Sequence, residues 1–271
     1  MKTKDILLSP VRKVETKSIL PGYETASDNE YAVIINVGGI DKILNFCSKN
    51  YEVLENQFVM NSFEGELKAA GIKYKKRYHQ SGWSKFFIDY CLNLKEYRIL
   101  PKDIIIPKIR VVNSYDGKLR LQTSFGFHRL VCSNGMTVPM GKTSSQKITH
   151  TPSLYSDTGF NKVVSDFDEF VTNAKDYLKP YELLKHQTVK KSKLVERIQE
   201  VIEATSFPKR QAEAVLSKIN EELVLLQIKE PTDWIVYNGF NNLLNHNRTE
   251  IRMAEEKRTQ VDLEILNHLL A

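Results

Sequence analysis

The chain is predicted to adopt an α+β fold, with an antiparallel, hairpin-rich sheet in its first half and a helical second half packed on it. Two observations lead there. Apolar, β-branched runs and two hairpin signals crowd residues 31–127. After residue 156 the apolar residues recur at helical spacing instead. Positive charge also segregates: residues 1–155 carry 23 Lys+Arg against 14 Asp+Glu, a net of +9, while residues 156–271 carry 16 against 19, a net of −3.

Taken in order, residues 1–25 read as an extended N-terminal arm, with Pro10, Pro21 and Gly22 and no sustained periodicity. Residues 26–155 read as a basic sheet domain. Its first strand is "YAVIINV", a continuous apolar run of the kind a buried strand shows. "YEVLEN" (51–56) is a second, short strand candidate. "QFVMNSFEGELKAA" spaces Phe58, Val59, Phe63 and Leu67 as a helix does, and Gly71 follows as a stop. Strands near 72–78 and 83–92 form one hairpin. A second pair surrounds Asp116-Gly117, where a tight turn needs positive φ at both central residues. Between the hairpins, "RILPKDIIIPK" reads as an edge or connector because of its two prolines.

Residues 156–271 read as a helical region packed on the sheet as one unit. One apolar stripe runs from Val163 to Leu178, ahead of Pro180. A second carries Leu194, Ile198, Val201 and Ile202. Ser206 is placed to cap a third helix, with Pro208 in its first turn. A fourth opens at Pro231, and "TEIRMAEEKRTQVDLEILNHLL" is a fifth.

Composition narrows the function classes. No stretch approaches the length of a transmembrane helix, and the start lacks the apolar run of a signal peptide, so a cytoplasmic protein without a membrane partner is expected. Three cysteines, odd in number and far apart, point to reduced thiols. The charge asymmetry points to a polyanionic partner of the first part of the chain.

The stretch "KYKKRYHQSGW" (73–83) gives that partner a surface. Alternate residues of a strand share a face, so Lys73, Lys75, Arg77 and His79 form a wholly basic row. Aligned cations repel, and a phosphate backbone would relieve that repulsion. Tyr78 and Trp83 are candidates to stack on bases, against the ordinary reading of such rings as core. Arg129 falls in the apolar phase of Leu121, Thr123, Phe125 and Phe127. Either it is partnered inside, or a bulge at Gly126 turns it outward, and the bulge is the preferred reading. Lys142, with Thr143 and Ser144, is a further phosphate candidate.

Tests for catalysis come out negative. "GMTVPMGKTSS" has five residues between its glycines and an interrupting proline, so it is no phosphate-binding loop. His128 and Cys132 at i, i+4 in a strand stand about 13 Å apart, too far for one metal ion. No metal or cofactor is expected and no catalytic residue is named. In "DWIVYNGFNNLLNH" rings and amides share a helix face. The preferred reading is a docking seam whose amides bond the sheet's backbone; the alternative is a polar groove for a ligand.

Three segments, "NSYDGKLRLQTSFGFHRLVCSNGM" (113–136), "KITHT" (147–151) and "TDWIVYNGFNNLLNH" (232–246), together resemble the phage- and plasmid-encoded proteins catalogued as domain of unknown function 932. Asn113, Asp116 and Gly117 fit that family's Asn-Ser-x-Asp-Gly turn. Arg129, Cys132, Asn134 and Gly135 fit its Arg-x-Val-Cys-x-Asn-Gly signature. His150 and Trp234, Tyr237 and Asn238 correspond to its later blocks. The resemblance implies a mobile-element protein working in the bacterial cytoplasm, and it implies no settled activity. Beside the basic sheet it leads to an expected function: non-enzymatic binding of nucleic acid, single-stranded DNA above all, in replication or recombination of the annealing type. A homo-oligomer is possible by analogy of fold with annealing proteins. The alternatives are a phage factor acting on a host defence or restriction protein, and an enzyme of unknown chemistry.

Overall fold

The computed structural model describes residues 8–22, 29–81, 83–93, 96–130, 135–136, 147–148, 150, 160–246, 251, 253 and 255–271. It is α+β, with antiparallel sheets in the first half and helices through the second. Two compact units divide the chain: residues 1–93, 108–125 and 142–169 form the first; residues 94–107, 126–141 and 170–271 form the second.

The first unit opens with a three-stranded sheet of order β1-β2-β3, from β1 (Val11–Glu15), β2 (Tyr31–Val37) and β3 (Ile40–Cys47). A short helix, α1 (Thr16–Ile19), follows β1. The residues read as an arm thus contribute a strand paired with β2 from Val11↔Ile35 to Glu15↔Tyr31. Ala32, Val33, Ile34 and Ile35 are all buried, which is why this strand reads as an unbroken apolar run. β3 escapes a pattern reading because Asp41, Lys42 and Asn45 interrupt its apolar residues. Gly38 and Gly39, at φ +63° and +84°, supply the left-handed turn that folds it back on β2.

"YEVLEN" forms no strand: residues 51–55 have no regular structure, and helix α2 (Asn56–Ala69) begins inside the segment. The helix buries Val59, Met60, Phe63 and Leu67, with Phe63 edge-on to Tyr90 at 4.9 Å, and ends ahead of Gly71 at φ +68°. Its N-terminus has no side-chain cap of its own. The Asn56 N–H instead donates to the Tyr115 hydroxyl at 2.9 Å, a cap delivered from 59 residues away. Tyr115→Phe is therefore expected to lower stability by about 0.5–2 kcal/mol in urea denaturation, the range for losing a helix cap.

The larger sheet has the order β10-β8-β7-β5-β4, with β6 on β7 and β9 on β8. Its strands are β4 (Tyr74–Ser81), β5 (Lys85–Leu92), β6 (Tyr97–Arg98), β7 (Ile104–Ser114), β8 (Leu121–Arg129), β9 (Gly135–Met136) and β10 (Lys147–Ile148). The β4–β5 hairpin pairs Tyr74↔Leu92 through Ser81↔Lys85, close to its expected bounds. "IIIPK" is part of β7 and not a connector. The Asp-Gly signal marks a reversal but not a two-residue turn: among the described residues only Gly117 of this loop has positive φ, and six residues, Tyr115–Arg120, separate the strands. Asp116 takes the Lys118 N–H and the Ser84 hydroxyl, which fixes the longer loop.

The second unit holds α4 (Ala174–His186), α5 (Leu194–Ala204), α6 (Ala212–Leu226), α7 (Asp233–His246) and α8 (Glu255–Leu270). The long stripe ahead of Pro180 is in fact two helices, α3 (Phe160–Thr172) and α4, broken at Asn173. Pro180 sits inside α4 and does not end it. Ser206 caps nothing: its N–H donates to Glu264, and a 3-10 turn at Lys209–Gln211 leads into α6. Helix α7 is the core element, buried at Trp234–Asn241. A methyl group at Gly239 would meet the Ile219 side chain at 2.6 Å and the Val215 carbonyl oxygen at 3.3 Å, so α6 and α7 depend on glycine for their approach. Gly239→Ala is expected to cost about 1–3 kcal/mol of overpacking strain, measured by the denaturation midpoint.

Candidate nucleic-acid interface

β4 ends the larger sheet's strand order, and its register decides which side chains share a face. Lys75 lies opposite Cys91, Arg77 opposite Asp89, His79 opposite Phe87 and Ser81 opposite Lys85. β5 passes the same face to β7, as Cys91↔Lys108, Asp89↔Arg110 and Phe87↔Val112. One face thus carries Lys75, Arg77 and Lys85 at the margin and Lys108 and Arg110 further in. Lys73, just before β4, is exposed, as are Lys75 and Arg77. Among the described residues no carboxylate pairs with Lys73, Lys75 or Arg77.

The opposite face behaves differently. Glu64 of α2 accepts from Tyr74 Oη at 2.8 Å, Lys76 Nζ at 2.9 Å and Tyr90 Oη at 3.2 Å. Burial, then the neighbouring Glu64 carboxylate, pushes the Tyr74 hydroxyl up to about 12. Lys76 is therefore a structural cation, while its neighbours on either side point to solvent. Tyr78 is half-buried; Phe86 and Phe87 are core. The side chain of His79 lies outside the described residues, as do Lys142, Cys132 and Asn134.

Further in, Asp89 takes two bonds from Arg110, Nε at 2.6 Å and a second nitrogen at 2.9 Å, and Lys108 Nζ stands 3.7 Å away. All three are buried. This carboxylate in "FFIDYC" had no signal in the sequence, because only the strand register brings it beside two cations of β7.

Arg129 corrects an expectation. It does not turn outward: it is 0% exposed in the second unit. Its Nε donates to Asp103 Oδ1 at 2.5 Å, a second nitrogen donates to Glu222 Oε1 at 2.7 Å, and its guanidinium lies over the Trp234 ring at 5.4 Å. Trp234 Nε1 donates to the other Asp103 oxygen at 2.7 Å. A guanidinium held this way is not a backbone contact for DNA, so Arg129 leaves the interface.

Asn113, His150, Tyr237 and Asn238, four of the residues that carried the family resemblance, make scaffolding contacts within their own units. In the first, Asn113 Nδ2 donates to the Leu54 carbonyl and to Asn56 Oδ1, and His150 Nδ1 bonds the Glu52 carbonyl at 3.0 Å with its ring stacked on Tyr51 at 5.2 Å. Both thus hold the irregular segment 51–55 by its backbone. In the second, three α7 amides bond within the helices. Asn238 bonds the Trp234 carbonyl, Asn245 the Asn241 carbonyl, and Asn241 bonds Asp262 of α8, which also accepts from Tyr237.

Burial lowers the His150 pKa below its ordinary 6.5. The unfolded chain then takes up a proton near pH 6.5 that the folded one refuses, so this contribution to stability is complete above about pH 6.5 and is lost as pH falls below it. Urea midpoints measured from pH 7.5 to 5 are expected to drop, and His150→Gln to flatten that drop.

A family model described as "Domain of unknown function (DUF932)" matches residues 43–267, most of the chain. No curated protein and no solved structure matches it. Among the described residues no helix is long and apolar enough to cross a membrane.

Proposed function

This chain belongs to the DUF932 family, whose description assigns no activity, and we propose from its own residues that it is a non-enzymatic nucleic-acid-binding protein of a phage or other mobile element. The ligand is single-stranded DNA, bound in the bacterial cytoplasm during replication or recombination of the annealing type. The observation that carries this reading is the open cationic row Lys73, Lys75 and Arg77, in contrast to Lys76 on the other face of β4, which Glu64 neutralises. The row runs along one strand, so it suits one phosphate backbone.

Fluorescence anisotropy with labelled single- and double-stranded oligonucleotides at two salt concentrations tests it. The triple change Lys73→Ala, Lys75→Ala, Arg77→Ala is expected to weaken single-strand binding and flatten its log–log salt slope by roughly 2, at about 0.7 per lost phosphate contact. Unchanged affinity and slope would reject the surface. A second reading is a protein-interaction factor acting on a host defence or restriction component. Leu183, Val195, Val224 and Leu225, exposed on helices of the second unit, favour it. A host protein captured after nuclease treatment, with no oligonucleotide binding, would put that reading first.

A further inference from the structure

Resting on the nucleic-acid reading, we infer that Trp83 and Lys42 form a base-stacking platform at the end of the cationic row, so that the ligand is gripped by an unpaired base as well as by its phosphates. Trp83 lies in the turn between β4 and β5, and Lys85 follows two residues later on the face that carries Lys75 and Arg77. Trp83 is 39% exposed, unusual for the largest apolar side chain in a chain whose other tryptophan, Trp234, is fully buried. Lys42 of β3 places Nζ 4.4 Å from the centre of the Trp83 ring. The contact joins the three-stranded sheet to the hairpin within the first unit.

Two features separate this platform from an ordinary surface tryptophan. The cation over the ring biases the indole toward one orientation, which helps a stacking partner. Ile40, two residues before Lys42 on the same face of β3, is a further exposed apolar side chain at 65%. From Lys75 to Ser81 the strand advances about 20 Å at ~3.3 Å per residue, so phosphates on the row and a base on the ring belong to one short stretch of strand. A duplex keeps its bases stacked on one another and cannot offer one. The platform therefore discriminates unpaired from paired DNA, which the cations alone do only weakly.

The experiment uses intrinsic fluorescence. With Trp234 buried, a change on adding oligothymidylate reports Trp83. Quenching is expected with oligothymidylate and not with an abasic sugar–phosphate strand of equal length. Trp83→Ala should cost roughly tenfold in affinity for oligothymidylate and leave affinity for the abasic strand unchanged, while Trp83→Phe recovers most of the loss. Lys42→Ala should weaken oligothymidylate binding severalfold. An unfolding midpoint like that of the unsubstituted protein shows that the variants are folded. Binding without quenching, or an equal loss for both strands, overturns the platform and leaves the phosphate-binding row intact. No binding of either strand by the unsubstituted protein overturns the nucleic-acid reading itself.

Discussion

Arg129→Ala is expected to cost about 3–5 kcal/mol of stability, or to prevent folding altogether, because it strands two buried carboxylates. Asp103 and Glu222 are both buried and both rest on the guanidinium. Trp234 bonds Asp103 and stacks on Arg129, so the loss spreads to α7. Far-ultraviolet circular dichroism with urea titration measures the effect. The combined variant Arg129→Met, Asp103→Asn, Glu222→Gln separates charge from packing. It removes all three charges and is expected to recover a large part of the loss, since neutral replacements of a buried ion cluster are tolerated far better than its halves. Equal destabilisation by the single and triple variants would show that shape, and not uncompensated charge, makes this cluster necessary.

Asp89→Ala is expected to be nearly as damaging, again about 3–5 kcal/mol, for the opposite reason: two cations lose their carboxylate. Arg110 spans both Asp89 oxygens and Lys108 stands close by, all on the face that reaches Arg77 at β4. Asp89→Asn keeps the shape and the acceptor oxygen, so it should cost less than Asp89→Ala. Urea midpoints for the two variants, read beside Arg110→Ala, test this. Additivity of Asp89→Ala and Arg110→Ala in the double variant would contradict a coupled cluster, whereas a double variant no worse than Asp89→Ala supports it.

Local chemistry alone carried a good deal of this architecture. Val33 and Ile35 announce a buried strand, Gly71 a helix stop, and the stripe Leu194, Ile198, Val201, Ile202 a helix, because hydrophobic period and backbone propensity act over a few residues. The alternation from Lys73 to Tyr78 likewise revealed the exposed row, since period 2 in a strand maps directly onto two faces. β3 was hidden by its polar residues. The segment 51–55 looked like a strand because its need for backbone partners is met by Asn113 and His150, which arrive from 59 and 98 residues away.

Charges were the least legible feature, and the reason is physical. An arginine in a sequence has no visible partner, so Arg129 looked available to DNA and nothing marked Lys42. Asp103 and Glu222 neutralise the first, and Trp83 receives the second, only once strands and helices distant along the chain are brought together. Periodicity settles which residues face inward or outward over a single element. Which opposite charge or ring stands across from them is a property of long-range register, and that is decided by tertiary packing.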